Sequence, residues 1–190
     1  MSNSLDLHQW TLTSTWMSRV DCRFWMNEIT NKVDWQQPYV SVYGSFHLVP
    51  RMNAFLADKH ITYRYSGVIH CGNGWPNWFS PLLNSVNSFC EVKFNGCLIN
   101  LYRNGYDHMG WHSDDEKELD LSKPIASLSF GAARDIAFRH RDYKLRELLL
   151  LEEGDLLVMH PGCQENWMHS LPTRRKIKDP RINLTFRCYK

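Results

Sequence analysis

The chain has 190 residues, 43% of them hydrophobic and 13% aromatic, with a formal net charge of +2. That length and composition indicate one globular domain with a real core. They exclude a low-complexity or repeat protein, no run approaches the ~20 apolar residues of a membrane helix, and the small total charge does not by itself argue for nucleic acid.

Met1-Ser2-Asn3-Ser4 leads into Asp6 and His8 without an apolar run, so no export signal is read. Residues 14–32 read as a helix capped by Ser14 or Thr15, with Trp16, Val20, Phe24 and Ile29 as the stripe that covers a sheet. Residues 39–49 read as two short strands around Val42-Tyr43-Gly44-Ser45, ended by Pro50. Residues 61–68, rich in Thr and Tyr, read as one strand. A loop at 76–81 with Trp75 and Trp78 beside it precedes a second helix at 82–90. Thereafter the chain is mostly β: 94–103, 125–130, 136–140, 148–151, 156–160 and the terminal strand, with a turn at Glu152-Glu153-Gly154-Asp155. Many short strands predict a mainly β fold with flanking helices, a sandwich or jelly roll, with helices and insertions supplied by the front third.

The six cysteines include no Cys-x-x-Cys, which argues against a zinc ribbon or a thioredoxin-type site. They are expected to be reduced thiols of a cytosolic or nuclear protein. Two basic runs stand out, Arg134 to Arg146 and Arg174-Arg175-Lys176-Ile177-Lys178. Solvated loop charge is the plain reading of each.

Chemistry gathers at two places. In His112-Ser113-Asp114, residues two apart on an extended segment point the same way, so an imidazole and a carboxylate can share a metal ion. One distant histidine completes a two-His, one-carboxylate set that suits non-haem Fe(II). His160 and His169 are the choices. A second His-x-acid match, His140-Arg141-Asp142, lies in a basic run and reads as surface. His108 and His112 are four apart, but Gly105 and Gly110 argue against the helix a zinc grip needs.

The second place is the terminal strand. Ile182, Leu184 and Phe186 form one face; Arg181, Asn183, Thr185 and Arg187 form the other. Unpaired buried charge is costly, so the arginine face needs water or an anion. Guanidinium forks match carboxylates. A keto-acid that chelates Fe(II) at one end and offers a carboxylate at the other unites the two places. Asn100 and Tyr102, also two apart, can add hydrogen bonds.

The ordered set Asn100-x-Tyr102, His112-x-Asp114, His169 and Arg181-x-Asn183-x-Thr185-x-Arg187 resembles the AlkB family of Fe(II)- and 2-oxoglutarate-dependent dioxygenases. The likeness runs from about Val42 to Arg187 and is nearest to the duplex-DNA repair branch, of which Pro124-Ile125-Ala126-Ser127-Leu128-Ser129-Phe130-Gly131 and His169-Ser170-Leu171-Pro172 look typical. It implies a double-stranded β-helix, a jelly-roll variant, forming one domain over 1–190. Residues 1–90 would hold the helices and nucleotide-recognition hairpins, and 91–190 the catalytic core. It implies His112, Asp114 and His169 as iron ligands, which leaves His160 as a core or supporting residue. It also implies that 2-oxoglutarate contacts Asn100, Tyr102, Arg181, Asn183, Thr185 and Arg187, with Arg181 at the distal carboxylate and Arg187 near the iron end.

The implied reaction uses O2 to convert 2-oxoglutarate to succinate and CO2. It hydroxylates an N-methyl group of N1-methyladenine or N3-methylcytosine, and formaldehyde is lost. The base must first be flipped from the stack. By resemblance Tyr65 stacks on it opposite His112, Tyr63 lines the pocket, and Asp115 and Glu116 accept from its exocyclic amine. Tyr43, beside Gly44 at the hairpin tip, fills the vacated gap. Arg51 contacts a DNA strand, and Arg174, Arg175 and Lys176 grip phosphates of the opposite strand. The partner expected is alkylated DNA, duplex before single-stranded, with RNA as the alternative substrate and a non-catalytic nucleic-acid-binding jelly roll as the alternative class. The chain reads as a monomer with no membrane partner, cytoplasmic in a bacterium or nuclear in a eukaryote.

Overall fold

The computed structural model describes residues 9–42, 45–65 and 68–190. In chain order it contains β1 (Trp10–Thr13), α1 (Arg19–Lys32), β2 (Tyr39–Val42), β3 (Ser45–Leu48), β4 (Met52–Ala57), β5 (Thr62–Tyr65), β6 (Val68–Cys71) and α2 (Ser80–Cys90). Then come β7 (Gly96–Tyr102), β8 (Met109–His112), β9 (Ile125–Gly131), β10 (Arg134–His140), β11 (Arg146–Leu151), β12 (Leu156–Met159), α3 (Cys163–Asn166), β13 (Trp167–Leu171) and β14 (Arg181–Arg187).

Two antiparallel sheets form the body. The large sheet has the order β1-β12-β9-β14-β7-β4 and the small one β11-β10-β13-β8. This is the mainly β, jelly-roll arrangement that the strand pattern predicts. Strands β1 and β4 come from the first ninety residues, yet both are hydrogen-bonded into the large sheet. β4 has little alternation and no β-branched residue, so periodicity does not reveal it.

Strand β14 sits between β9 and β7 and is buried along its whole length. Its Ile182, Leu184 and Phe186 face a core built with Cys22, Trp25 and Ile29 of α1 and Leu82, Leu83 and Val86 of α2. The helices thus cover the outer face of the large sheet. A second core lies between the sheets, where Trp10 stacks on Phe138 at 4.2 Å beside Ile136, Leu157 and Trp167. One sheet is therefore apolar behind β14 and polar in front of it, which is the condition for a site inside the roll.

Several sequence expectations need correction. Helix α1 starts at Arg19, not at 14, because Ser18 caps it by accepting from the Asp21 N–H at 3.2 Å. Its buried stripe is Cys22, Trp25 and Ile29, whereas Val20 and Phe24 are 68% and 55% exposed. Only Ile29 is common to the expected and the observed stripe. The segment 61–68 is not one strand but the start of the hairpin β5–β6. The hairpin β2–β3 forms as expected, and its tip residues Tyr43 and Gly44 lie outside the described residues. No helix among the described residues is long and apolar enough to cross a membrane. The six cysteines are free thiols.

Candidate active site

The antiparallel pairing of β8 with β13 sets His112 directly opposite His169, with ring centroids 4.2 Å apart. Asp114 follows β8 on the extended run, and its carboxylate comes to 3.8 Å from His112 Nε2. One ligand atom from each of the three residues lies within 4.8 Å of the others. His112 Nδ1 donates to the Gly110 carbonyl at 2.9 Å. A carbonyl only accepts, so this bond fixes the tautomer and leaves Nε2 free for a metal. The backbone N–H of Asp114 donates to Gln164 Oε1 at 2.8 Å, which ties α3 to the carboxylate ligand.

The electrostatics suit a cation. Burial alone would raise the Asp114 carboxyl, but the Arg187 guanidinium, with His169 and His112, holds it below the usual carboxylate range. Arg187 approaches Asp114 at 2.8 Å, and both side chains are almost fully buried. His169 is pushed down to about 3, first by burial and then by the neighbouring His112. It is neutral at physiological pH, as a metal ligand must be. Two imidazoles and a carboxylate on one side of an ion are the donor set of a facial Fe(II) site.

Across the cavity stands the polar face of β14. The register pairs Asn183 with Asn100 of β7 and Ser129 of β9, and Arg181 with Tyr102. Arg181 is 2% exposed, and among the described residues it meets no carboxylate. Its guanidinium donates to Ser129 Oγ at 2.9 Å, lies 5.7 Å from the Tyr102 ring and keeps Nε unpartnered. Burial brings it down to about 10. Such a cation calls for an anionic ligand. Asn183 donates to Ser127 Oγ and accepts from Thr185 Oγ1. One cavity is lined by all three metal-ligand candidates and by Asn100, Tyr102, Arg181, Asn183, Thr185 and Arg187. A dianion chelating at the metal and reaching Arg181 fits this arrangement.

Other expected site residues are distributed differently. Glu116 is half-buried, accepts from Tyr63 Oη at 2.8 Å, and is raised chiefly by burial. Tyr63 is fully buried against Phe55, His70 and Tyr189, so it braces the site rather than lining the pocket. Its hydroxyl also accepts from Arg187 at 3.2 Å. Glu116, Tyr63, Arg187 and Asp114 are thereby linked in one chain of contacts. Asp115 is exposed, with Arg141 at 3.4 Å.

Arg51 is turned inward and buried, donating to Asn100 Oδ1 at 2.9 Å. The Arg174 guanidinium is committed to Asp135, so it anchors its loop, while Arg175 and Lys176 are exposed. His160 is exposed and bonded to Thr11, outside the core. Tyr43, Gly44 and the side chain of Tyr65 lie outside the described residues. Sequence reasoning missed Ser127, Ser129 and Gln164. The alternation Ser127-Leu128-Ser129 is the signal that could have found the serines, since it puts two hydroxyls on the cavity face of β9.

The family profile described as the 2OG-Fe(II) oxygenase superfamily matches residues 9–187. Among curated proteins, "DNA oxidative demethylase ALKBH2" of Bos taurus is 44% identical over 156 residues, covering 78% of this chain and 56% of that protein. The protein of the same name from Mus musculus is 43% identical, covering 78% and 65%, and that from Arabidopsis thaliana is 32% identical, covering 82% and 58%. The chain thus spans less than two thirds of the length of these relatives. A solved structure described as "The structure of OsALKBH1" superposes with a TM-score of 0.64 at 16% identity, covering 94% of this chain and 97% of that one, a likeness of fold alone. Matched from residue 9 to residue 187, this chain belongs to the 2OG-Fe(II) oxygenase superfamily, in which the AlkB homologues are its relatives.

Proposed function

We propose that this protein is a DNA oxidative demethylase that acts on N1-methyladenine and N3-methylcytosine, duplex DNA being the preferred substrate. The observation that carries the reading is the convergence of His112, Asp114 and His169 in one cavity with the buried Arg181, which meets no carboxylate among the described residues. The name borne by the mammalian and plant relatives supports the choice of DNA.

Iron and 2-oxoglutarate, when bound with O2, supply oxidation of a methyl carbon, with succinate, CO2 and formaldehyde as products. The protein's part is to hold and to orient. His112, Asp114 and His169 hold the iron. Arg187 keeps Asp114 ionised, and Arg181 takes the distal carboxylate of 2-oxoglutarate, with Asn100, Tyr102, Asn183 and Thr185 around it. Glu116, fixed by Tyr63, meets the exocyclic amine of the flipped base, with Asp115 at the rim and Tyr65 as the stacking partner. Arg175 and Lys176 meet phosphates, and Arg174 holds their loop.

Formaldehyde release from methylated oligonucleotides, with iron and 2-oxoglutarate each omitted in turn, tests the activity. Release is expected only with both present, and release without either one rejects the reading. Comparing duplex with single strands tests the preference. Tyr43→Ala is expected to lower duplex turnover more than single-strand turnover, and equal losses remove the wedge. The relatives named above come from animals and a plant, so in a eukaryotic host we assign the chain to the nucleus, which a fluorescent fusion checks.

A further inference from the structure

Arg134 opens β10 and is 1% exposed, among the largest fully buried side chains. Nothing in the proposed reaction uses it. Among the described residues it makes no ion pair with a carboxylate. Its guanidinium is spent on main-chain carbonyls instead. One terminal nitrogen donates to Asp107 O at 2.9 Å and Pro172 O at 2.8 Å, the other to Asn104 O at 3.2 Å. These carbonyls belong to two separate loops. Residues 103–108 connect β7 to β8 and lead into His112; residues 172–180 connect β13 to β14, running from His169 to Arg181 and carrying Arg174, Arg175 and Lys176.

The two loops are also stitched to each other. Gly105 N–H donates to Ile177 O at 2.9 Å, and Arg174 N–H donates to Gly105 O at 2.7 Å. A Cβ on Gly105 would lie 1.7 Å from the Arg174 carbonyl oxygen, so the loops pack main chain on main chain. Asp135, the next residue of β10, takes the Arg174 side chain. The Arg134 guanidinium also lies 5.8 Å from the Tyr102 ring, which Arg181 approaches at 5.7 Å. A buried five-donor fork is suited to this task, because it can bind several carbonyls in a fixed plane, which an ammonium cannot.

We infer that Arg134 is a positioning residue that locks the loop bearing Arg175 and Lys176 to the loop entering the metal site, and so sets where a nucleic-acid backbone lies relative to the iron. The part concerning nucleic acid rests on the function proposed above; the lock itself does not. Removing the fork frees both loops together while leaving the ligand set in place, since strand pairing carries His112 and His169, and Gln164 and Arg187 hold Asp114.

The test compares the wild-type chain with Arg134→Met, which fills the space without donors, and Arg134→Lys, which keeps charge without the fork. Amide hydrogen exchange is followed at Gly105, Arg174 and Ile177. In both variants exchange at all three is expected to rise together by about tenfold or more, the mark of a local unit released from its protection, with β9 and β14 unchanged. KM for a methylated duplex is expected to rise several-fold, while KM for a methylated trinucleotide, too short to reach the basic loop, stays the same. Wild-type exchange in a folded variant overturns the inference. So does release of one loop without the other, or an equal rise of both KM values. If Arg134→Met does not fold, Arg134→Lys carries the same readouts. If the wild type turns over neither substrate, the proposed function fails, and the exchange data still decide the lock.

Discussion

Among the described residues, Arg181 carries a charge into the interior with no carboxylate to meet it. The Ser129 hydroxyl and the Tyr102 ring offset only part of its desolvation until a ligand arrives, so its contributions to binding and to stability have opposite signs. Arg181→Met is expected to raise the KM for 2-oxoglutarate by about 10- to 100-fold, the loss of a charge-assisted hydrogen-bond pair worth about 1.5–3 kcal/mol. The same change is expected to leave the melting temperature of the metal-free chain unchanged or higher. A large fall in melting temperature, or an unchanged KM, contradicts the assignment. His169 gives a pH signature. Its folded value is lowered from 6.5 to about 3 by burial, so below pH 6.5 the unfolded chain gains a proton that the folded chain refuses. Stability of the metal-free protein is therefore expected to fall as pH drops from 6.5, with a limiting slope of about 1.4 kcal/mol per pH unit. Denaturant titrations at pH 7, 6 and 5 measure it, and His169→Gln is expected to flatten the curve.

At the scale of elements, what could be read in advance followed the physics of each segment. β14 is legible because strict alternation in Arg181-Ile182-Asn183-Leu184-Thr185-Phe186-Arg187 separates its two faces, and both faces are buried. β8 and β13 are not, since Met109-Gly110-Trp111-His112 and Trp167-Met168-His169-Ser170-Leu171 carry functional residues where a pattern would carry apolar ones. Their pairing, which brings His112 against His169, is a long-range fact that no local window contains. Spacing alone leaves the third ligand open between His160 and His169, and the cross-strand register supplies the physical reason for His169. The start of α1 is ambiguous in the sequence because Ser14, Thr15 and Ser18 are all good caps, and only Ser18 has the Asp21 N–H within reach. Ser18→Ala is expected to cost about 1 kcal/mol. Urea denaturation checks this, and Ser14→Ala is expected to change nothing.

For the whole molecule, β1 and β4 close the two edges of the large sheet. We therefore propose that residues 1–90 and 91–190 unfold as one unit. A single calorimetric transition is expected, and two separable transitions would refute it. Metal that binds only the folded chain is expected to raise stability by about 2.7 kcal/mol at a hundredfold excess over its dissociation constant. The chain of contacts from Glu116 through Tyr63 and Arg187 to Asp114 has a consequence at this scale. The group that would sort one damaged base from another and the group that would retain the metal share a single set of protons and charges. Exchanging Glu116 to suit new adducts is therefore expected to shift iron retention as well, through Tyr63 and Arg187.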